Sequence, residues 1–210
     1  MKFVLYGATG TIGSRILTEA LARGHQVTAI VRDPAKLALK HANLTVAVGD
    51  ARDPAAVAKA VAGSAVMVSA LSPGHDDPQG IVGLTRALVG GLTQAGVKRL
   101  VMVGGAGSLE VAPGQQLVDQ PFFPAAWKGI ALAHSEALAV LRTAALDWTS
   151  FSPPALIEPG TRTGTFRLGT DQLVTDAAGN SRISAEDYAV ALVDELEKPQ
   201  FIRRRFTAAY

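Results

Sequence analysis

Residues 2–13, KFVLYGATGTIG, decide the fold. Residues 3–6 form an apolar run long enough for a buried strand and too short for a helix. Gly7, Gly10 and Gly13 follow at intervals of three, with Ala8, Thr9, Thr11 and Ile12 between them. Residues 14–23 then predict an amphipathic helix with Ile16, Leu17, Ala20 and Leu21 on one face. Strand, glycine-rich turn and helix is the context in which such spacing marks a dinucleotide site. Gly7 permits the tight turn, Gly10 lets the backbone approach a pyrophosphate, and Gly13 lets the helix pack close to its strand. The free N–H groups and dipole at the helix start then favour the diphosphate.

The remaining chain alternates strands and helices. Residues 26–31, 44–48, 65–71, 98–103 and 147–152 predict further strands; residues 34–40, 55–62, 81–95 and 130–144 predict helices. Asp33-Pro34 and Asp53-Pro54 are helix starts, aspartate as N-cap and proline at the first helical position. Ser184 opens a capping box with Asp187, starting a helix that runs to about residue 197. Residues 205–210 offer a last strand. The pattern predicts a three-layer α/β, Rossmann-type, doubly wound parallel sheet, with strand order 3-2-1-4-5-6 and the ligand at the carboxyl ends of the strands. Residues 105–127 read as a long loop with exposed aromatics, a length that is often functional. Residues 165–168 and 172–175 suggest a hairpin around Gly169-Thr170-Asp171. With no repeat, low-complexity tract or linker, residues 1–210 are expected to form one domain with a small C-terminal substrate-side lobe.

Composition narrows the function. The 210 residues are 48% apolar, enough for a large core. No run approaches the ~18 apolar residues that a spanning helix needs. The chain enters a strand at once, leaving no room for a signal peptide, so a cytoplasmic protein without membrane contact is expected. There is no cysteine, which excludes disulfides and thiol catalysis. The net charge of +2 includes no dense basic stripe, and Arg203, Arg204 and Arg205 fit a solvated edge strand better than a nucleic-acid site. His75 beside Asp76 and Asp77 is a poor metal set and reads as solvated loop; no metal is expected.

Candidate site residues follow from position. Arg32 ends the second strand, where an NAD-selective site places a carboxylate; a guanidinium there suits a 2′-phosphate, so NADP(H) is expected over NAD(H). Lys36 could add charge. Asp50, with Ala51, can face the adenine amino group or serve only as a turn before the next helix. Ala70 and Leu71 end the fourth strand and should line the cofactor's other edge, as should Ser72. Gly104 and Gly105 end the fifth, where small residues leave room for the nicotinamide ribose. Pro153, with Pro154, should shape the pocket wall. Phe122, Phe123 and Trp127 could stack on a planar ring or lie under a partner subunit, leaving monomer or homodimer open.

Residues 7–13 (GATGTIG), 31–37 (VRDPAKL), 48–53 (VGDARD), 61–63 (VAG) and 96–101 (GVKRLV) resemble the atypical short-chain dehydrogenases. The likeness is greatest to the NAD(P)H-binding branch that holds NmrA-like proteins and the biliverdin-IXβ/flavin reductases. Residues 140–160 resemble that branch's sixth-strand region, and residues 163–169 and 183–197 its C-terminal part. The resemblance implies an NAD(P)H-dependent reductase of flavin or a similar small planar acceptor, flavin being a substrate. Two other functions remain open: a non-catalytic NADP(H) sensor acting through a protein partner, and an epimerase or isomerase. Fold alone does not choose among them.

This chain departs from the wider group in two ways. Short-chain dehydrogenases use Tyr-x-x-x-Lys as proton donor, and none occurs here; the tyrosines are Tyr6, Tyr188 and Tyr210. The flavin reductases carry a serine near the end of the fifth strand, where Ser108 could stand in only if the loop folds back. His134 falls where those reductases have a substrate-side histidine, and imidazole titrates in a useful range. Its alternatives are a helix-surface position or capping by Glu136 or Glu158. Flavin reduction asks the protein mainly to position two ring systems.

Overall fold

The computed structural model describes residues 1–74 and 76–210; the solvated-loop expectation for His75 lies outside the described residues. Twelve strands are present among them: β1 Lys2–Tyr6, β2 Gln26–Val31, β3 Leu44–Val48, β4 Val66–Ser69, β5 Arg99–Val103, β6 Glu110–Ala112, β7 Gln115–Gln116, β8 Asp147–Ser152, β9 Leu156–Glu158, β10 Arg167–Gly169, β11 Arg182–Ser184 and β12 Arg204–Ala209. The helices are α1 Thr11–Ala22, α2 Pro54–Val61, α3 Gly80–Ala95, α4 Ala125–Thr143 and α5 Ala185–Glu197. The main sheet runs β10-β12-β8-β5-β4-β1-β2-β3 and is parallel except for β10. Its first six strands therefore take the expected 3-2-1-4-5-6 order, and β12 extends the sheet beside β8.

Alternation along β1 divides the core. Phe3 and Leu5 pack with Ile16 and Leu17 of α1 and Tyr188 and Leu192 of α5. Val4 and Tyr6 face the other layer, with Val57 of α2, Ile81 and Leu88 of α3, and Leu138 of α4. Both faces are covered, which is why the strands read as continuous apolar runs. β1 and β4 reach the same end, with Tyr6 opposite Ser69, and the chain turns there into the α1 entry.

Three expectations are corrected. The helix over 34–40 shrinks to one turn, Pro34–Lys36, because residues 32–42 are exposed apart from a half-buried Leu37 and offer no face to pack. The 105–127 stretch is built rather than loose: β6 and β7 pair, and Leu109, Leu117 and Val118 are buried beneath them. The hairpin of 165–168 with 172–175 does not form. β10 pairs instead with the open edge of β12, while Glu110 bonds the backbone of Asp171 and Leu173.

Candidate cofactor cleft and strand-end site

Each of the three glycines meets a different constraint. Gly7 has φ +85°, a left-handed conformation that side chains rarely adopt, and a Cβ there would lie 2.4 Å from the Ala70 carbonyl oxygen. A Cβ on Gly13 would lie 2.0 Å from the Gly7 carbonyl oxygen. Gly10 has an ordinary φ of −81°, and its nearest neighbour would be the Gly7 oxygen at 3.5 Å. The protein's own packing thus leaves the space before Gly10 clear. Gly10 is also the N-cap of α1 and supplies no capping side chain, so the amides of Thr11, Ile12 and Gly13 have no backbone acceptor among the described residues. A cleared space facing unpartnered helix amides fits a diphosphate.

Beside this cradle a cleft of about 380 Å³ is lined by Gly7, Thr9, Arg32, Asp50, Ala51 and Leu71, and also by Tyr6, Ser72 and Asp76. Ala8 is buried behind the turn and Ile12 is half-buried. Arg32 is exposed, and its guanidinium makes no hydrogen bond or ion pair with a described residue. Asp33 is a helix cap, accepting from the Ala35 amide at 3.0 Å. Asp50 Oδ1 accepts from the Arg52 amide at 2.9 Å, so Asp50 shapes its turn while also lining the cleft. Ala70 sits behind the cradle against Gly7 and Gly13.

The end of β5 is closely packed. A Cβ on Gly104 would lie 2.8 Å from Ser150 Oγ, and one on Gly105 would lie 2.6 Å from His134 Cβ. At both positions the missing side chain makes room for protein groups. The absent side chain at Gly105 lets α4 set His134 against the strand end. The imidazole is half-buried with Nδ1 enclosed and unpartnered among the described residues. Burial pushes its pKa down to about 4. Neither proposed carboxylate caps it; Glu136 accepts instead from Gln79 Nε2 at 3.1 Å. Pro153, half-buried, follows directly on β8.

Ser108 does not fold back to the strand end. Its Oγ and carbonyl both accept from Arg205 Nη1, at 2.8 and 3.0 Å, in a separate cleft with Ser135, Arg142 and Asp171. The cause is Arg205, which is buried and pairs with Asp171, correcting its reading as a solvated edge residue. Phe122 and Trp127 are exposed at the entry to α4 and do not line the glycine cleft. Tyr6 lines the cleft with its hydroxyl unpartnered among the described residues, while Tyr188 and Tyr210 are hydrogen-bonded away from it. Burial, then the charge of Asp50, raises Tyr6 to about 12. Tyr188 donates to the Phe151 carbonyl, and Tyr210 donates to Asp187 at 2.8 Å.

Among the cleft residues that the sequence reading does not single out are Tyr6 and Arg52. The signal for Arg52 was present: Arg-Asp-Pro-Ala occurs at 32–35 and again at 52–55.

A doubly wound sheet with an open, glycine-cleared helix N-terminus at its strands' carboxyl ends defines a dinucleotide-binding protein. Residues 7–199 match the family described as NAD(P)H-binding, and the chain belongs to that family. It is 38% identical to the uncharacterised protein YwnB of Bacillus subtilis (strain 168), over 99% of this chain and 97% of that one. Among solved structures it resembles a Burkholderia pseudomallei protein provisionally named as exported, at 54% identity and TM-score 0.92 over 100% of both chains. A provisionally named NADH-flavin reductase of Streptococcus pneumoniae TIGR4 is 33% identical, with TM-score 0.89 over 100% of this chain and 99% of that one. A provisionally named epimerase of Bacteroides thetaiotaomicron is 40% identical, with TM-score 0.93 over 100% and 96% respectively. No described helix is long and apolar enough to cross a membrane.

Proposed function

We propose that this protein is an NADPH-dependent reductase of flavin or a similar planar conjugated acceptor, acting as one cytoplasmic domain. The observation that carries the reading is a cofactor cradle beside a strand end where His134, its pKa pushed down to about 4, is neutral at physiological pH and where, among the described residues, no tyrosine is paired with a lysine that would lower its pKa. The cofactor, when bound, supplies the hydride. The amides of Thr11, Ile12 and Gly13 hold the diphosphate, and Arg32 grips the 2′-phosphate with its planar fork. Gly105 and His134 orient the acceptor at the end of β5, the imidazole as a neutral hydrogen-bond partner. An acceptor that delocalises the incoming charge over its own rings needs no strong acid, whereas a simple carbonyl does. The likeness to the provisionally named NADH-flavin reductase supports the acceptor class.

The test is oxidation of NADPH with FMN, riboflavin and quinones as acceptors, followed by loss of reduced-nicotinamide absorbance. Saturable turnover above the free-flavin background is expected, and His134→Ala should lower it several-fold at unchanged NADPH affinity. Tight NADPH binding with no turnover on any acceptor would replace this reading with that of a sensor working through a partner.

A further inference from the structure

The repeated Arg-Asp-Pro-Ala segments lie beyond the carboxyl ends of the adjacent parallel strands β2 and β3, whose last residues, Val31 and Val48, lie in register; Arg32 follows β2 directly and Arg52 follows β3 after Gly49, Asp50 and Ala51. In both copies proline opens the following turn or helix and aspartate caps it, Asp33 Oδ1 at 3.0 Å from the Ala35 amide and Asp53 Oδ1 at 2.9 Å from the Ala55 amide. Each carboxylate is thereby turned onto backbone, and the arginine just before it is left without a counter-ion. Arg32 and Arg52 are both exposed, both line the cleft, and neither guanidinium has a partner among the described residues. Arg15, Arg23, Arg99, Arg162, Arg203 and Arg205 are paired with carboxylates, whereas Arg86, Arg142, Arg182 and Arg204, like Arg32 and Arg52, have no carboxylate partner among the described residues; of these six only Arg32 and Arg52 line the cleft. Two of the carboxylates lining the cleft are turned onto backbone, Asp50 Oδ1 on the Arg52 amide and Asp77 Oδ1 on the Gly80 amide at 3.0 Å; Asp76 also lines it.

From this placement, and resting on the reading of the cleft as an NADP(H) site, we infer that Arg52 is a second specificity residue. With Arg32 it forms a two-guanidinium clamp on the phosphate of the adenosine ribose. A phosphate monoester is close to dianionic at neutral pH and offers oxygens to two planar forks at once, whereas a ribose hydroxyl offers neither charge nor a second acceptor edge. The chain supplies the two forks by using one tetrapeptide twice, beyond the carboxyl ends of neighbouring strands and on the lining of one cleft.

Dissociation constants for NADPH and NADH, read from nicotinamide fluorescence on the intact protein, test the clamp. Arg52→Ala should weaken NADPH about tenfold and leave NADH within about twofold, as should Arg32→Ala, the range of a charge-assisted hydrogen bond. Arg52→Lys should fall between, keeping charge but losing the fork. The unliganded melting temperature should not move, because Arg52 is exposed and alanine retains the amide that Asp50 accepts. Equal losses for both cofactors in Arg52→Ala, or no loss for either while Arg32→Ala abolishes the preference, would overturn the clamp and leave the NADP(H) reading standing. A wild type that binds NADH as tightly as NADPH would overturn the NADP(H) reading and the clamp together.

Discussion

At the scale of the residue, Gly10 and Gly13 look alike in sequence and differ in what they exclude. Gly13 is closed by protein: its Cβ would meet a carbonyl oxygen at 2.0 Å, so Gly13→Ala should destabilise the fold by about 1–3 kcal/mol or more. Gly10 is closed by nothing nearer than 3.5 Å, so Gly10→Val should leave a folded protein while abolishing dinucleotide binding. Circular dichroism and NADPH titration on the pair separate the two roles; native-like affinity in folded Gly10→Val would remove the diphosphate assignment. His134 makes a second residue-scale point. With its pKa near 4, its charge does not change between about pH 6 and 8, so NADPH turnover should show no His134-dependent step there. A rate limb near pH 6.5 that disappears in His134→Ala would contradict the buried, neutral imidazole.

At the scale of the element, α5 is tied to the C-terminal lobe through its own cap. Ser184 Oγ accepts from the Asp187 amide at 3.0 Å, as the capping box predicts. The Asp187 carboxylate, however, does not reach back to Ser184. It accepts from the amides of Thr163 and Gly164 at 2.8 and 2.7 Å, from Thr163 Oγ1 at 2.6 Å, and from the Tyr210 hydroxyl. Burial pulls this carboxyl upward, but the hydrogen bonds from Thr163, Gly164 and Tyr210 outweigh it and hold it below the usual range. Asp187→Ala should therefore cost about 2–4 kcal/mol, the loss of several bonds to a buried charge. Amide exchange should accelerate first in residues 160–165; a global loss with no such local opening would place the cost elsewhere.

At the scale of the whole molecule, the shifted groups share one direction on the acid side. His134 is protonated more easily in the unfolded chain, ordinary value 6.5, than in the fold at about 4. Its contribution is fully present above pH 6.5 and is lost as pH falls toward 4, about 3 kcal/mol at most by linkage. Glu19, lowered by its Arg162 hydrogen bonds and further by Arg23, and Asp187 add losses below the ordinary carboxylate values. Tyr6 and Tyr188, raised by burial, remove stability only above about pH 10. Melting temperature should thus plateau between about pH 6.5 and 10 and fall on the acid side, with the 6.5-to-4 part flattened in His134→Gln. An unchanged slope in that variant would assign the acid loss to other groups.

The sequence by itself determined the frame, because the signals that set it are local. The apolar run before Gly7, the glycine spacing and the Asp-Pro helix starts each act within a few residues, and they sufficed for the sheet order of the first six strands and for placing Arg32 and Asp50 at strand ends. Contacts between distant segments were decided only by the tertiary structure. The resemblance lets Ser108 serve the strand end only if the loop folds back, yet Arg205, 97 residues away, holds it in another cleft. Gly104 and Gly105 show in the sequence only as small residues; that Ser150 and His134 pack against them is a contact between distant segments. His134 read as a titrating imidazole because its ordinary pKa is all a sequence carries; enclosure between α4 and β5 moves it. The 165–175 hairpin failed for the same reason: a local turn competes with the open edge of β12, and pairing with that edge is invisible until the sheet is assembled.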